Sequence, residues 1–157
     1  MNPTQLAGTI ACSVAALACI ARADRRWFVP AALFALMVVD LQFGGRYAVR
    51  GMVENFLFAH GLSPESKRPF QVMILIAAVP VLVFLLKRFV RGPGGLREAR
   101  LGAILIAALW SLEAISLHQT DHIMWLQAGP ILLGGWLWIA ASALATYGAL
   151  VGRGRRR

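Results

Sequence analysis

Residues 27–43, WFVPAALFALMVVDLQF, decide how many times this chain crosses a membrane. The run is apolar except for Asp40 and Gln42 near its end. Its 17 residues would make a helix of about 25 Å at 1.5 Å per residue. That is short for a hydrocarbon core of about 30 Å but within the usual range of spanning segments. Four further apolar runs accompany it, at about 2–21, 70–89, 101–122 and 131–151. With 59% apolar residues over 157 positions, one bundle uses the whole length. The expectation is an all-α integral membrane bundle of five transmembrane helices, forming a single domain over residues 1–157.

The positive charges orient the bundle. All sixteen Lys and Arg residues lie outside the apolar cores of these segments. With five crossings and an external N-terminus, twelve fall on the inner side and four on the outer. Without residues 27–43 the split is nine to seven, which orients nothing. Basic loops stay cytoplasmic. The chain therefore reads as a multi-pass protein of the bacterial inner membrane, N-terminus outside and C-terminus inside. The same distribution makes the net charge of +9 a topology signal rather than a nucleic-acid surface. The inner loops and the tail from Arg153 would meet anionic headgroups. No Lys or Arg precedes Arg22, so Ala21-Arg22-Ala23 reads as the end of a retained helix rather than a signal-cleavage site.

Several local features follow along the chain. Cys12 and Cys19 are seven apart, share a helix face and read as packing residues. Asp40 either faces the bundle interior or reaches the outer headgroups and pairs with Arg46. Gly44-Gly45 breaks the helix, and residues 46–60 have amphipathic periodicity. Arg46, Arg50 and Glu54 form one stripe, and Val49, Met52, Val53 and Phe56 lie opposite. This predicts a short helix lying in the outer interface, with His60 on its apolar side. Pro80 should kink the third span. Gly92-Pro93-Gly94-Gly95 lacks the Gly-Lys-Ser/Thr signature of a phosphate loop. Gly129-Pro130 suits the first turn of the last helix, in which Trp136, Trp138 and Tyr147 read as interfacial anchors.

The stretch EAISLHQTDHIMW, residues 113–125, holds two of the three histidines and no Lys or Arg. If the fourth helix continues through it, His118 and His122 stack at i, i+4 with Asp121 one turn from His118. Such a set could hold a transition metal or haem, with Asp121 or His60 completing it or Asp121 orienting an imidazole. It could equally act as a base with its partner, or be a structural polar cluster. In the five-span topology Asp40, Gln42, His60, Arg68, Gln71, Glu113 and Ser116 join these residues on the outer face.

Asp40-Leu41-Gln42, an amphipathic segment ending at Gly61, Arg68 with Gln71, and Ser116-Leu117-His118 followed by Asp121 together resemble a family of small, uncharacterised bacterial multi-pass membrane proteins. Some members carry an isopropylmalate isomerase label, although this chain has no iron–sulfur ligand set and no soluble domain. The chain has Gln119 where the family pattern has a second imidazole, Leu62 where it has an aromatic, and Glu113 where it has a basic residue. The resemblance implies the architecture and favours His118 and Asp121 as the site. Two functions follow. One is a structural or accessory membrane protein whose cluster holds helices or docks a membrane partner or a second copy. The other is a metal- or haem-binding protein, with enzyme activity open. A transporter would need oligomerisation, since no inverted repeat is visible.

Overall fold

The computed structural model describes residues 2–61, 80, 82–84, 86–88, 94–115 and 124–152. Helix α1 spans Pro3–Ile20. Asn2 caps it, its side chain accepting from the Gln5 N–H while the Gln5 side chain accepts from the Asn2 N–H, and Pro3 occupies the first turn. A tight reversal with Ala23 at φ 49° leads through a 3-10 turn, Arg25–Trp27, into α2, Phe28–Phe43. Pro30 sits in the first turn of α2, where its missing N–H would have had no intrahelical partner. Gly44, at φ 69°, ends α2 by donating to Asp40 O at 2.7 Å. Helix α3 follows at once over Gly45–Ala59. Residues 80, 82–84 and 86–88 are helical. Helix α4 is Leu96–Ile115, and α5 is Leu133–Val151.

Two boundaries differ from the expectation. Helix α4 begins at Leu96 rather than near 101, because the Glu98 carboxylate accepts from the Gly95 N–H at 2.6 Å and caps the start. Helix α5 begins at Leu133, because Gly129-Pro130 is the turn of a small hairpin rather than a helix start. Strands β1 (Gln127–Ala128) and β2 (Ile131–Leu132) pair antiparallel across it. Gly129 supplies the positive φ of 73°. Proline in second place, with its fixed negative φ, suits a II′ turn and excludes I′.

Among the described residues four long helices pack as a ring, α1 on α2, α2 on α4, α4 on α5 and α5 on α1. Thr4 meets Leu132 at one end and Arg22 meets Ala149 and Gly152 at the other, so α1 and α5 run parallel. Gly95 lies against Gly148 and Gly152, so α4 runs opposite to α5. Small residues dominate the centre, where Cys12, Ala15, Cys19, Ala99, Ala103, Ala141 and Ala145 are buried, with Phe34, Met37, Leu41 and Ile106 filling the space between them. Large apolar side chains such as Leu6, Ile10, Val14, Leu17, Phe28, Leu36 and Val39 face outward. Small residues at helix contacts and large ones outside is how helices pack in lipid. Among the described residues three helical stretches are long and apolar enough to cross a membrane, α1, the 3-10 turn with α2, and α5.

At the end away from α3, the Arg22 guanidinium donates to Gly152 O at 2.9 Å and Ala149 O at 3.4 Å, closing the C-terminus of α5. A cation there also complements the helix dipole. The same guanidinium sits 5.1 Å from the Trp27 ring.

The α4–α5 seam has no room for methyl groups. A Cβ on Gly148 would overlap Gly95 O, and one on Gly102 would overlap Ala141 O, whereas a Cβ on Gly51 in α3 would meet nothing. Gly148→Ala is therefore expected to cost about 1–3 kcal/mol by overpacking, read as a lower melting midpoint in detergent. Gly51→Ala should leave the midpoint unchanged or raise it, by up to about 1 kcal/mol from helix propensity.

Candidate functional site

At the end of the bundle where α2 stops and α5 starts, the chain buries an arginine. Arg46 is 3% exposed. It is the second residue of α3, and it is held from three sides. Asp40 Oδ2 accepts from Arg46 Nη1 at 3.1 Å, while Asp40 Oδ1 accepts from the Arg46 backbone N–H at 2.7 Å. Glu113 Oε2, from α4, lies 3.2 Å from Arg46 Nε. This contact is an ion pair whose angle falls short of a hydrogen bond, so it counts as charge attraction alone. The guanidinium also lies 5.0 Å from the ring of Trp138, on α5, and 5.0 Å from that of Tyr47. One side chain thus ties α2, α3, α4 and α5 together.

Local sequence explains the geometry. Gly44-Gly45 turns the chain within two residues, so Asp40 at the end of α2 becomes the cap for the start of α3. Its carboxylate satisfies a backbone N–H that α3 cannot, complements the helix dipole, and neutralises Arg46. A Cβ on Gly45 would stand 3.0 Å from Asp40 Oδ1, so the approach is close there as well. Asp40 is 9% and Glu113 15% exposed. Two carboxylates face one guanidinium.

Arg46 is accordingly not part of a solvated stripe. Arg46 turns inward, while Tyr47, Val49, Met52, Phe56 and Phe58 are exposed. Arg46 is the one buried side chain among the described side chains of α3. Trp138 also departs from its reading as an interfacial anchor. It is 5% exposed and packs in the core, whereas Trp136 stays outside with its indole donating to Ala128 O at 2.8 Å. Cys12 and Cys19 pack in the centre, with Cys12 Sγ 3.5 Å from Ser142 Oγ.

Of the residues singled out from sequence, Asp40 and Glu113 come together around Arg46. Gln42 instead donates to Thr9 Oγ1 on α1 at 3.3 Å. His60 folds onto its own helix, Nδ1–H donating to Phe56 O at 2.8 Å and the two rings 4.2 Å apart. Arg68, Gln71, Ser116, His118, Asp121 and His122 lie outside the described residues. Among the described residues no group of three or more His, Cys, Asp or Glu side chains could share a metal ion. Sequence reasoning missed the burial of Arg46 and the part played by Trp138. The six-residue step from Asp40 across a double glycine was the available signal for the first.

Comparison with known proteins places the chain in no family: no family model, curated protein or solved structure matches it.

Removing the guanidinium takes the paired cation away from the buried Asp40 carboxylate and from the part-buried Glu113. Arg46→Leu should destabilise by about 3–5 kcal/mol, the scale for breaking a buried pair from one side. Asp40→Asn keeps an oxygen for the Arg46 backbone N–H, whereas Asp40→Leu removes it. Thermal unfolding in mild detergent should therefore rank wild type above Asp40→Asn, and Asp40→Asn above Asp40→Leu.

Proposed function

We propose that this chain is a small multi-pass inner-membrane protein of structural or accessory type. In this reading its outer end carries an ion-paired clamp that holds α3 in the membrane interface with its apolar face outward. The observation that carries the proposal is the arrangement around Arg46. Among the described residues Arg46, Asp40 and Glu113 are paired with one another, which suits a joint between helices better than a reaction centre. Tyr47, Val49, Met52, Phe56 and Phe58 then form an exposed surface against lipid headgroups or a membrane partner.

Five crossings, with the N-terminus outside, fit this reading. Helix α2 ends at the Arg46 end of the bundle and α4 starts at the opposite end, so the intervening chain must travel the length of the bundle. A crossing by residues 70–89 accounts for that. Arg22, Arg25, Arg26, Arg97 and Arg100 gather at the end away from Arg46. An excess of Arg there is what a cytoplasmic face carries, and anionic headgroups would be its partners.

Two measurements test the proposal. Single cysteines at Gln119→Cys and Gly94→Cys, in a Cys12→Ala/Cys19→Ala background, should react with impermeant maleimide from the outside and the inside respectively. Labelling of position 119 from the cytoplasmic side alone would overturn the orientation. A nitroxide on Met52→Cys in α3 should be accessible to oxygen and sit at headgroup depth. A nitroxide accessible only to aqueous relaxants would overturn the interfacial placement of α3.

A further inference from the structure

The end of the bundle away from Arg46 gathers arginines from two elements. Arg25 and Arg26 open the 3-10 turn before α2, and Arg97 and Arg100 lie near the start of α4. The turn and α4 pack against each other. Helical register decides which way the second pair faces. Glu98 and Gly102 lie in the seam with α5, where a Cβ on Gly148 would stand 3.0 Å from Glu98 Cβ and one on Gly102 would overlap Ala141 O. At 3.6 residues per turn, Arg97 and Arg100 stand about 100–160° round the helix from those two residues. They are thus turned away from α5, toward the flank where α4 meets α2 and its 3-10 turn.

The charge of this surface is presented rather than consumed. Arg25, Arg26 and Arg97 are exposed and Arg100 is half-buried. Arg22 stands apart from the group, because it already serves the last carbonyls of α5. The two acids beside the four arginines are engaged with backbone. Asp24 Oδ1 accepts from the Arg26 N–H at 2.9 Å, and Glu98 Oε2 accepts from the Gly95 N–H at 2.6 Å. Four guanidiniums against these two carboxylates leave a net charge of +2. Residues 87–93 and 153–157, which adjoin α4 and α5 in sequence, hold seven Lys or Arg and no Asp or Glu. The adjoining sequence therefore offers no acid to cancel it.

The same surface borders the apolar exterior. Phe28 and Val29, directly after the turn, and Leu105, about two turns along α4 from Arg97, are exposed. A cationic rim above outward apolar side chains fits an anionic head with acyl chains better than a soluble polyanion. The division of the charge narrows the head. It lies in two pairs on two elements, and its total matches a headgroup with two phosphates. Two separate single-phosphate lipids would each lose their own freedom of motion on binding. Two joined phosphates meet the second pair of arginines as an intramolecular event.

We propose that the 3-10 turn and the start of α4 bind one lipid whose headgroup carries two phosphates, one at Arg25 and Arg26 and the other at Arg97 and Arg100. The inference rests on the membrane reading above, in which this end meets anionic headgroups, and it adds the class of lipid.

The test is native mass spectrometry of the full chain released from mild detergent. Diphosphatidylglycerol and phosphatidylglycerol of the same acyl composition are offered together at equal phosphate. The expected result is one diphosphatidylglycerol retained per chain, about tenfold over phosphatidylglycerol, the scale of one further charge-assisted hydrogen bond. Arg25→Gln/Arg26→Gln and, separately, Arg97→Gln should each remove most of that preference at an unchanged melting midpoint, since these side chains are exposed. Lys87→Gln/Arg88→Gln takes the same charge from another exposed helical segment and should leave the preference in place.

Equal retention of the two lipids, a preference unchanged in both arginine variants, or an equal loss in Lys87→Gln/Arg88→Gln would overturn the proposal. Displacement of the lipid by equimolar inorganic diphosphate would overturn the lipid source in favour of a soluble polyanion. The maleimide labelling separates this site from the reading it rests on. Equal retention with position 94 still labelled from the inside removes the site and leaves the topology standing.

Discussion

A guanidinium that is 97% withdrawn from solvent has to be answered by acceptors, and the end of this bundle is built around that requirement. Arg46 meets Asp40 from the helix before it and Glu113 from a helix far along the chain. The first contact is local, across the turn, and the second needs the tertiary fold. Gly44-Gly45 must reverse the chain, α4 must reach Glu113, and α5 must bring Trp138 across the guanidinium. A buried ion pair adds little net stability over apolar packing of the same volume, yet it is costly to break from one side. Its effect here is specificity. It ties together four helices at this end, beside a core that combines many small residues with Phe34, Met37, Leu41 and Ile106.

The two ends of the bundle use different means. At the Arg46 end, side-chain charges satisfy each other and a backbone N–H. At the opposite end, Arg22 satisfies the last carbonyls of α5, and glycines 95, 148 and 152 allow backbone to approach backbone. Between the ends, contact between helices rests on small residues and van der Waals packing, as expected where lipid removes the hydrophobic drive between helices. Helix α3 differs from the other helices. It has no comparable seam of small residues, and its described side chains beyond Arg46 face outward or lie half-buried. Its attachment therefore depends on the clamp more than that of α1, α2, α4 or α5 does.

Much of this was legible in the sequence. Long apolar runs with basic punctuation mark membrane helices whatever their partners, and α1, α2 and α5 lie within two residues of where those runs predict. The double glycine marked the break before α3, and helical periodicity marked α3 itself. Periodicity shows which residues share a face but not which way the face points. Periodicity puts Arg46 on one stripe with Arg50 and Glu54, and the pairing of Arg46 with Asp40 is legible as one of two alternatives, but its second carboxylate, Glu113, is 67 residues away in sequence. Trp138 was misread for the same reason, since an aromatic near a helix end looks the same whether it meets headgroups or a guanidinium. Gly129-Pro130 was misread because a proline suits both a helix start and the second place of a two-residue turn, and only pairing across the turn separates them.

Arg46 fastens α3 to the bundle, so amide hydrogen exchange on Arg46→Leu in mild detergent is the decisive measurement. Peptides covering residues 47–59 should lose protection in the variant, while peptides from α1 and α5 exchange as in the wild type. Protection retained across 47–59, or lost equally from every helix, would contradict it.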